Sequence, residues 1–233
     1  MLSCCVRWDG TLWMKADLWA FERRLQARGF TRIAGVDEAG RGPLAGPVVS
    51  AAVMLPMDFI SDGVMDSKQL TPRQREKAFK RIYSQAVSVG VGIVDAVEID
   101  RINILQASRL SMAMAVSNLK PKPHFLLIDG KFGIDSPLPQ QPVIKGDSLS
   151  LSVAAASIVA KVSRDRLMQR YHIDYPGFGF DRHKGYPTKS HKAAIAAHGP
   201  CIIHRRSFKG VSEHLSSRPS SSCTATGTTI HDG

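Results

Sequence analysis

The chain has 233 residues, of which 43% are hydrophobic and 22% are charged, as is usual for one globular domain with a substantial core. Its 31 Lys and Arg residues outnumber its 20 Asp and Glu residues, and the formal net charge is +11. The sequence excludes a membrane-spanning helix, because no apolar run approaches the roughly 20 residues that such a helix needs. The positive charge favours an anionic partner.

The positive charge is concentrated near the C-terminus. Residues 161–210 contain 11 Lys and Arg but only 3 Asp and Glu, so that +8 of the net +11 lies there. A nucleic acid is the first candidate for the partner, and an acidic membrane surface is the second. The 4 cysteines have no C-x-x-C spacing, which predicts neither a zinc knuckle nor a disulfide framework. No continuous apolar signal segment is present, and a cytoplasmic location is expected.

The first part of the chain predicts a helix followed by two strands. Residues 1–15 show no regular pattern, and residues 16–28 have the apolar spacing of an amphipathic helix. The apolar run over residues 33–36 predicts a buried strand that ends in Asp37 and Glu38. A short turn with two glycines leads to a second apolar run, and a connection of this length favours antiparallel pairing.

The middle of the chain alternates helices and strands. Thr71, Pro72 and Gln74 have the spacing of a capping box and open a helix predicted to run to about residue 86. The elements predicted next are a strand, a helix and a buried strand ending in a carboxylate, over residues 87–97, 104–118 and 124–129.

The last part of the chain predicts a short strand and two helices, over residues 142–145, 150–171 and 188–199. Beyond Val211 the sequence becomes rich in Ser and Thr and predicts a disordered tail. The expected organisation is therefore an irregular segment over 1–15, one domain over 16–211 and a tail over 212–233.

Carboxylates follow three of the predicted apolar segments, each where the segment meets a glycine-containing turn: Asp37 with Glu38, then Asp129, then Asp147. Ligands collect at strand ends in α/β sheets, so these side chains are expected to converge. Converging carboxylates commonly hold hard divalent cations. In a basic protein, such a cluster predicts phosphoryl transfer assisted by two metal ions.

A series of motifs follows along the chain: Asp-Glu-Ala-Gly-Arg-Gly-Pro at 37–43, Asp-Ser-Lys-Gln-Leu at 66–70, Leu-Ile-Asp-Gly at 127–130, Lys-Gly-Asp at 145–147, the small and charged run at 154–166, His-Lys-Gly-Tyr-Pro-Thr at 183–188, and His-Arg-Arg-Ser-Phe at 204–208. This series resembles that of the type 2 ribonucleases H, and in particular of bacterial ribonuclease HII. The resemblance implies an α/β, ribonuclease H-like fold, with a mixed β-sheet flanked by helices and a mostly helical C-terminal part.

The resemblance also implies an activity. It implies a catalytic domain over 16–211 that hydrolyses the RNA strand of RNA–DNA hybrids and cuts 5′ to ribonucleotides embedded in duplex DNA. It implies two Mn²⁺ or Mg²⁺ ions held by Asp37, Glu38, Asp129 and Asp147, with Asp37 bridging both ions. The products would be 3′-hydroxyl and 5′-phosphate ends, and the protein would be a monomer without a membrane partner.

Substrate contacts are implied in the same way. The family's ribose-reading loop falls on Gly40, Arg41 and Gly42, which would recognise the 2′-hydroxyl that distinguishes RNA from DNA. Tyr186 would pack against the sugar that follows the ribonucleotide and detect the RNA-to-DNA junction, with a loop tyrosine that covers the core as the alternative. Phosphate contacts are expected from further basic residues, for each of which a solvated basic surface is the alternative. These residues are Lys68, His183, Lys184 and Arg206.

Other polar residues receive structural interpretations. Lys161, Arg164, Asp165 and Arg166 recur at helical spacing and are interpreted as ion-pairing residues. Asp66 is interpreted as a loop or cap residue, with a fifth acid of the site as the alternative. Three histidines without metal-ligand spacing are interpreted as ordinary surface or core residues: His172, His191 and His198.

The sequence also bears on two alternative functions. A dinucleotide-binding enzyme is rejected, because the glycines have Gly-x-Gly-x-x-x-Gly spacing and the preceding carboxylates would repel a pyrophosphate. A non-catalytic basic nucleic-acid-binding module is the remaining alternative. It leaves the acids unexplained, because carboxylates that face phosphates weaken binding unless a metal intervenes.

Overall fold

The computed structural model describes residues 17–65 and 67–215. Within them, five strands form one mixed sheet in the order β3–β2–β1–β4–β5. The strands are β1 (Ile33–Ala39), β2 (Val48–Met54), β3 (Ser88–Val94), β4 (Phe125–Asp129) and β5 (Gln140–Val143). The helices are α1 (Ala20–Gln26), α2 (Pro72–Gln85), α3 (Ala96–Ile102), α4 (Ile104–Ser117), α5 (Leu151–Asp174), α6 (Phe180–His183) and α7 (Lys189–His198).

The central strand is β1, which pairs antiparallel with β2 and parallel with β4. Alternate residues of β1 face opposite sides of the sheet. Ala34 and Val36 pack in the apolar cluster that contains residues of α4, whereas Ala39 packs in the cluster that contains residues of α5. Asp37 therefore lies on the α5 side of the sheet and Glu38 on the α4 side.

Helix α5 lies unusually close to β1 because small residues line the contact. A Cβ atom added at Gly35 of β1 would come within 2.1 Å of the carbonyl carbon of Ser152 in α5. The buried run Ala154–Ser157 continues this contact with side chains that bring little bulk. This close approach places the middle of α5 beside the acidic end of β1.

Several predicted elements are confirmed, and two are corrected. The capping box of α2 forms, with the Thr71 hydroxyl accepting from the Gln74 N–H at 3.3 Å. The strand predicted over 87–97 ends at Val94, because the Asp95 carboxylate accepts the Glu98 N–H and starts α3, a helix that the sequence analysis missed. The strand predicted over 142–145 lies at Gln140–Val143 instead.

After α5 the chain is mostly helical and then returns to the loop between β1 and β2. Leu44 donates its N–H to the Gly185 carbonyl at 2.8 Å and accepts the Arg205 N–H at 2.8 Å. The segment expected to be disordered from residue 212 begins with a 3-10 turn, Ser212–His214. Residues 1–15, Asp66 and residues 216–233 lie outside the described residues, as do their predictions. No described helix is long and apolar enough to cross a membrane.

Candidate active site

Two adjacent acids on β1 begin the site. Asp37 is buried, with 4% of its surface exposed, and its Oδ1 accepts the Glu38 N–H at 2.7 Å. The Ser157 hydroxyl of α5 also hydrogen-bonds the Asp37 carboxylate. Glu38 lies on the opposite face of the sheet, where its Oε1 is 3.3 Å from Nη1 of Arg41. The rigid strand therefore presents one carboxylate to each side of its end.

Asp129 and Asp147 reach the same region from the end of β4, which pairs in parallel with β1, and from the turn that follows β5. Val36 of β1 pairs with Ile128 of β4, so the next residue along each strand is an aspartate. The Gly146 N–H donates to Asp129 Oδ1 at 2.7 Å. This bond fixes the 3-10 turn Gly146–Ser148, in which Asp147 is buried with 3% exposure. Asp147 was expected at a strand end and is found in this turn, because β5 ends at Val143.

The acids interact electrostatically. Burial raises the pKa of Asp37 well above its usual value, and the charges of Glu38 and Asp129 raise it further. Burial also raises the pKa of Glu38, and the positive charge of Arg41 partly offsets this increase. The pKa of Asp129 is raised by burial, lowered by the Gly146 N–H and raised by the charge of Asp147. Burial, with repulsion between the acids, thus disfavours the charged forms of Asp37, Glu38 and Asp129.

The placement of the acids bears on whether they could bind a metal ion. Among residues 17–65 and 67–215, no group of three or more Asp, Glu, His or Cys side chains is arranged to hold a metal ion. Two acids instead face the protein's own cations, since Lys68 Nζ lies 2.8 Å from Asp147 Oδ2 and Arg41 pairs with Glu38. The carboxylate oxygens still fit hard divalent cations, which prefer oxygen ligands.

The loop that follows the acids is held by Arg205. This side chain is fully buried and donates to the carbonyls of Gly46 at 3.0 Å, Arg41 at 2.9 Å and Gly40 at 2.6 Å. Burial lowers the pKa of Arg205 to about 9, so the guanidinium stays charged at neutral pH. A planar guanidinium suits this task because its donors point in several fixed directions.

A second buried arginine holds the other half of the loop. Arg164 of α5 donates to the carbonyls of Pro47 at 2.9 Å and Ala45 at 3.0 Å, and to the Lys184 carbonyl at 2.9 Å. Its expected role in an ion pair is wrong, because all of these acceptors are backbone oxygens. The ion pairs expected for its neighbours do form, between Lys161 and Asp165 and between Arg166 and Glu76.

Gly40 is required by the packing of this loop. Its φ of +99° lies in the region that L side chains rarely adopt. A Cβ atom there would come within 2.0 Å of Nε of Arg164. The glycine therefore lets the loop backbone pass directly over a buried guanidinium.

Tyr186 lies next to the loop and is 41% exposed. A Cβ atom added at Gly42 would be 3.8 Å from Cε1 of Tyr186, so the ring and the loop are neighbours. Nζ of Lys161 is 5.8 Å from the ring centroid. Tyr186 also lines a cleft of about 560 Å³ whose basic side chains include Lys161, Arg166, Arg182 and Lys184.

The four residues expected to contact phosphates differ in their surroundings. Lys68 pairs with Asp147, and Lys184 reaches the Asp181 carbonyl. Arg206 is exposed, and its backbone N–H donates to Asp100. Both ring nitrogens of His183 are engaged inside its own loop, with the Phe178 carbonyl and the Gly185 N–H.

The sequence analysis did not assign a role to Arg205 or to Ser157. Both residues lie inside motifs that it quoted, so a signal was present. The contacts of Arg205 lie 159 to 165 residues away along the chain, and only the folded arrangement shows them.

The chain is similar to known proteins over most of its length. A family model described as Ribonuclease HII matches residues 34–211. A ribonuclease HII of Citrifermentans bemidjiense is 58% identical over 88% of this chain and 89% of its own length. One of Geobacter sulfurreducens is 56% identical over 85% of this chain and 91% of its own length. The crystal structure of ribonuclease H2 from Pyrococcus horikoshii superposes with a TM-score of 0.66 at 30% identity, covering 78% of this chain and 96% of that one.

Proposed function

The chain belongs to the ribonuclease HII family, and on this basis we propose that it cuts the RNA strand of RNA–DNA hybrids and cuts 5′ to ribonucleotides embedded in duplex DNA. Membership makes the protein a ribonuclease H and confirms the expected fold. One observation carries the finer proposal: β1 ends one residue after Asp37 and Glu38 and leads directly into the loop at Gly40, so the loop adjoins the acids.

The four acids are the proposed metal ligands. Asp37, Glu38, Asp129 and Asp147 would hold two Mn²⁺ or Mg²⁺ ions, with Asp37 as the shared ligand. Such ions supply charge stabilisation to the attacking and leaving oxygens of a phosphodiester. The chain itself orients the ligands, since the Ser157 hydroxyl and the Gly146 N–H fix the carboxylates of Asp37 and Asp129.

The loop Gly40–Gly42 is the proposed reader of the ribose 2′-hydroxyl. Arg205 holds the carbonyls of Gly40 and Arg41. A trans peptide places the following N–H opposite its carbonyl, so the N–H groups of Arg41 and Gly42 point away from the buried guanidinium. Donors fixed in advance bind a hydroxyl at a lower entropic cost than mobile ones.

Tyr186 and nearby basic residues complete the proposed substrate surface. The exposed ring of Tyr186, beside Gly42, would pack on the sugar after the ribonucleotide. We place phosphate contacts on Lys68, Lys184 and Arg206. His183 is left out because both of its ring nitrogens are engaged within the loop.

The test is a cleavage assay on a DNA duplex with one labelled ribonucleotide. Wild type is expected to cut 5′ to the ribonucleotide with Mg²⁺ or Mn²⁺ and to stop in EDTA. Asp37→Asn is expected to lower the rate at least about 100-fold, because the shared ligand loses its charge. An all-DNA duplex should stay intact.

Two outcomes would contradict the proposal. Binding without cutting would return the protein to the alternative of a non-catalytic binding module. Cutting of the all-DNA control at the same rate would remove the ribose-reading role from the loop. We further propose a monomer that acts in the cytoplasm on nucleic acid, with residues 16–211 as the catalytic domain.

A further inference from the structure

Two fully buried histidines meet beneath Tyr186. His191 of α7 is 0% exposed, and His204 is 1% exposed. Their Nε2 atoms lie 3.1 Å apart. The ring of Phe180 packs on both histidines, with centroids 5.5 and 5.7 Å away. A buried imidazole pair needs an explanation, because each ring nitrogen must find a partner of the right kind.

The partners at the two ends of the pair fix the direction of its hydrogen bonds. Nδ1 of His191 lies 2.9 Å from the Tyr186 carbonyl, which can only accept. Nδ1 of His204 receives the Cys201 N–H at 3.0 Å, which can only donate. His204 therefore donates through Nε2 to Nε2 of His191, and His191 donates through Nδ1 to Tyr186. Every polar atom is satisfied when both rings are neutral.

This neutral state agrees with the surroundings of the pair. Burial lowers the pKa of both histidines to about 4; the charge of His183 also lowers both, and the charge of His191 lowers the pKa of His204. His183 stacks on His191 with a centroid distance of 4.4 Å and would add to this repulsion. Protonating either member of the pair would set one N–H against another N–H.

The pair also connects two parts of the proposed substrate surface. His204 directly precedes Arg205, which holds the carbonyls of Gly40 and Arg41. His204 itself forms an antiparallel bridge with Ala45 of the same loop. The other end of the pair reaches the Tyr186 carbonyl. Hydrogen bonds, together with the covalent link from His204 to Arg205, thus connect the ribose-reading loop to the backbone of Tyr186.

We propose that the His191–His204 pair fixes the position of Tyr186 relative to the loop Gly40–Gly42 and thereby sets the preference for RNA-to-DNA junctions. The inference rests on the proposed function, because it assigns Tyr186 to the sugar beyond the ribonucleotide. The histidines are positioning residues and do not touch the substrate.

The test measures a ratio of rates. The rate on a duplex with one ribonucleotide is divided by the rate on an uninterrupted RNA–DNA hybrid. His191→Leu removes the donor to Tyr186 and should lower this ratio about fivefold, the effect of one hydrogen bond. His191→Asn places an amide N–H near the position of Nδ1 and should restore most of the ratio. A uniform loss on both substrates would instead show a merely structural role.

A double-mutant cycle connects the effect to the tyrosine. Once Tyr186→Ala has removed the ring, adding His191→Leu should leave the ratio unchanged, because interacting residues are not additive. His198→Leu, at the exposed end of the same helix, is the matched control and should keep the wild-type ratio. Additive losses in the cycle would overturn the inference.

A measurement on the unaltered protein covers variants that fail to fold. Imidazole ¹⁵N chemical shifts at neutral pH should show His191 protonated at Nδ1 and His204 protonated at Nε2. A different tautomer at either ring would overturn the inference. If wild type cuts neither substrate, the proposed function fails first; if it cuts both and His191→Leu leaves the ratio unchanged, only this inference fails.

Discussion

Arg205 shows how one buried side chain can set the shape of a loop that lies far away in sequence. Its guanidinium spans the carbonyls of Gly40, Arg41 and Gly46. Without it, three buried or half-buried carbonyls would lack their donors. Each unsatisfied group costs about 1–3 kcal/mol, which makes this residue important for folding.

Arg205→Met is expected to lower the free energy of unfolding by about 3 kcal/mol, since the apolar side chain fills space but donates nothing. Chemical denaturation would measure this loss. The control is Arg206→Met, at the exposed neighbouring position, which should stay within about 0.5 kcal/mol of wild type. Equal effects at both positions would contradict the anchoring role.

The buried histidine pair gives stability a dependence on pH. The pKa of His204 is about 4 in the folded chain and 6.5 as the ordinary value, so the unfolded chain binds more protons between these limits. The contribution of the neutral histidine is fully present above pH 6.5 and is lost as the pH falls toward 4. Each pKa unit corresponds to about 1.4 kcal/mol.

The difference in free energy of unfolding between wild type and His204→Asn should therefore be largest at neutral pH. The difference should shrink by about 3 kcal/mol as the pH falls from 6.5 to 4, because Asn does not titrate. Denaturant unfolding across this range measures it. A difference for His204→Asn that stays constant across this range would contradict the neutral pair.

At the scale of single residues, the sequence was most informative about the acids. Asp37 and Glu38 could be found because an apolar run ends in two charges and a glycine turn. Arg164 was assigned wrongly to an ion pair and Arg205 was not assigned, because an arginine that binds backbone carbonyls has no complementary residue type in the sequence. The histidine pair likewise has no sequence spacing that announces it.

At the scale of elements, the contact of β1 with α5 determines where the acids lie. Gly35 of β1 leaves no room for a side chain against Ser152. This contact brings Ser157 of α5 to the Asp37 carboxylate. The glycine thus contributes to the site although it lies two residues from the nearest acid.

Gly35→Ala is expected to destabilise the fold by at least about 2 kcal/mol, because backbone atoms at 2.1 Å cannot rotate away from the new Cβ. Thermal unfolding would measure the loss. Gly177→Ala is the matched control, since its Cβ would meet the His198 ring only at an ordinary 3.7 Å. Equal stability of the Gly35 variant and wild type would rule out the close contact.

Most helices and strands could be predicted because their periodicity and caps are local. The exceptions arise where a local cap or turn overrides the apolar pattern of the sequence. Asp95 caps α3 inside a run of apolar residues that favours a longer strand. Lys145 adopts a positive φ of 58°, which turns the chain before Asp147 and ends any strand there.

At the scale of the whole molecule, the positive charge is divided between two uses. Residues 161–210 hold a net +8, but Arg164 and Arg205 are buried and serve the loop. Exposed basic residues in this part of the chain, including Arg182 in the cleft beside Tyr186, remain for the polyanion. The net charge of a sequence therefore overstates the charge available for binding.

Binding should weaken steeply with salt, and Arg182 should contribute to this dependence. In the inactive Asp37→Asn background, Arg182→Gln should reduce the slope of log affinity against log salt by about 0.9, the value for one phosphate. The control is Arg28→Gln, because Arg28 precedes β1 and the acids lie at the other end of that strand. This variant should leave the slope unchanged. An unchanged slope for Arg182→Gln would remove this cleft from the path of the duplex.

The anchoring of the recognition loop by Arg205 also orders events during synthesis of the protein. The ribosome makes the sheet and the four acids by residue 147, whereas the guanidinium that holds Gly40 and Arg41 follows 58 residues later (205 minus 147). Domains begin to fold from the N-terminus during translation. A nascent chain thus has its acids before Arg205 can fix the loop that we propose to read the ribose.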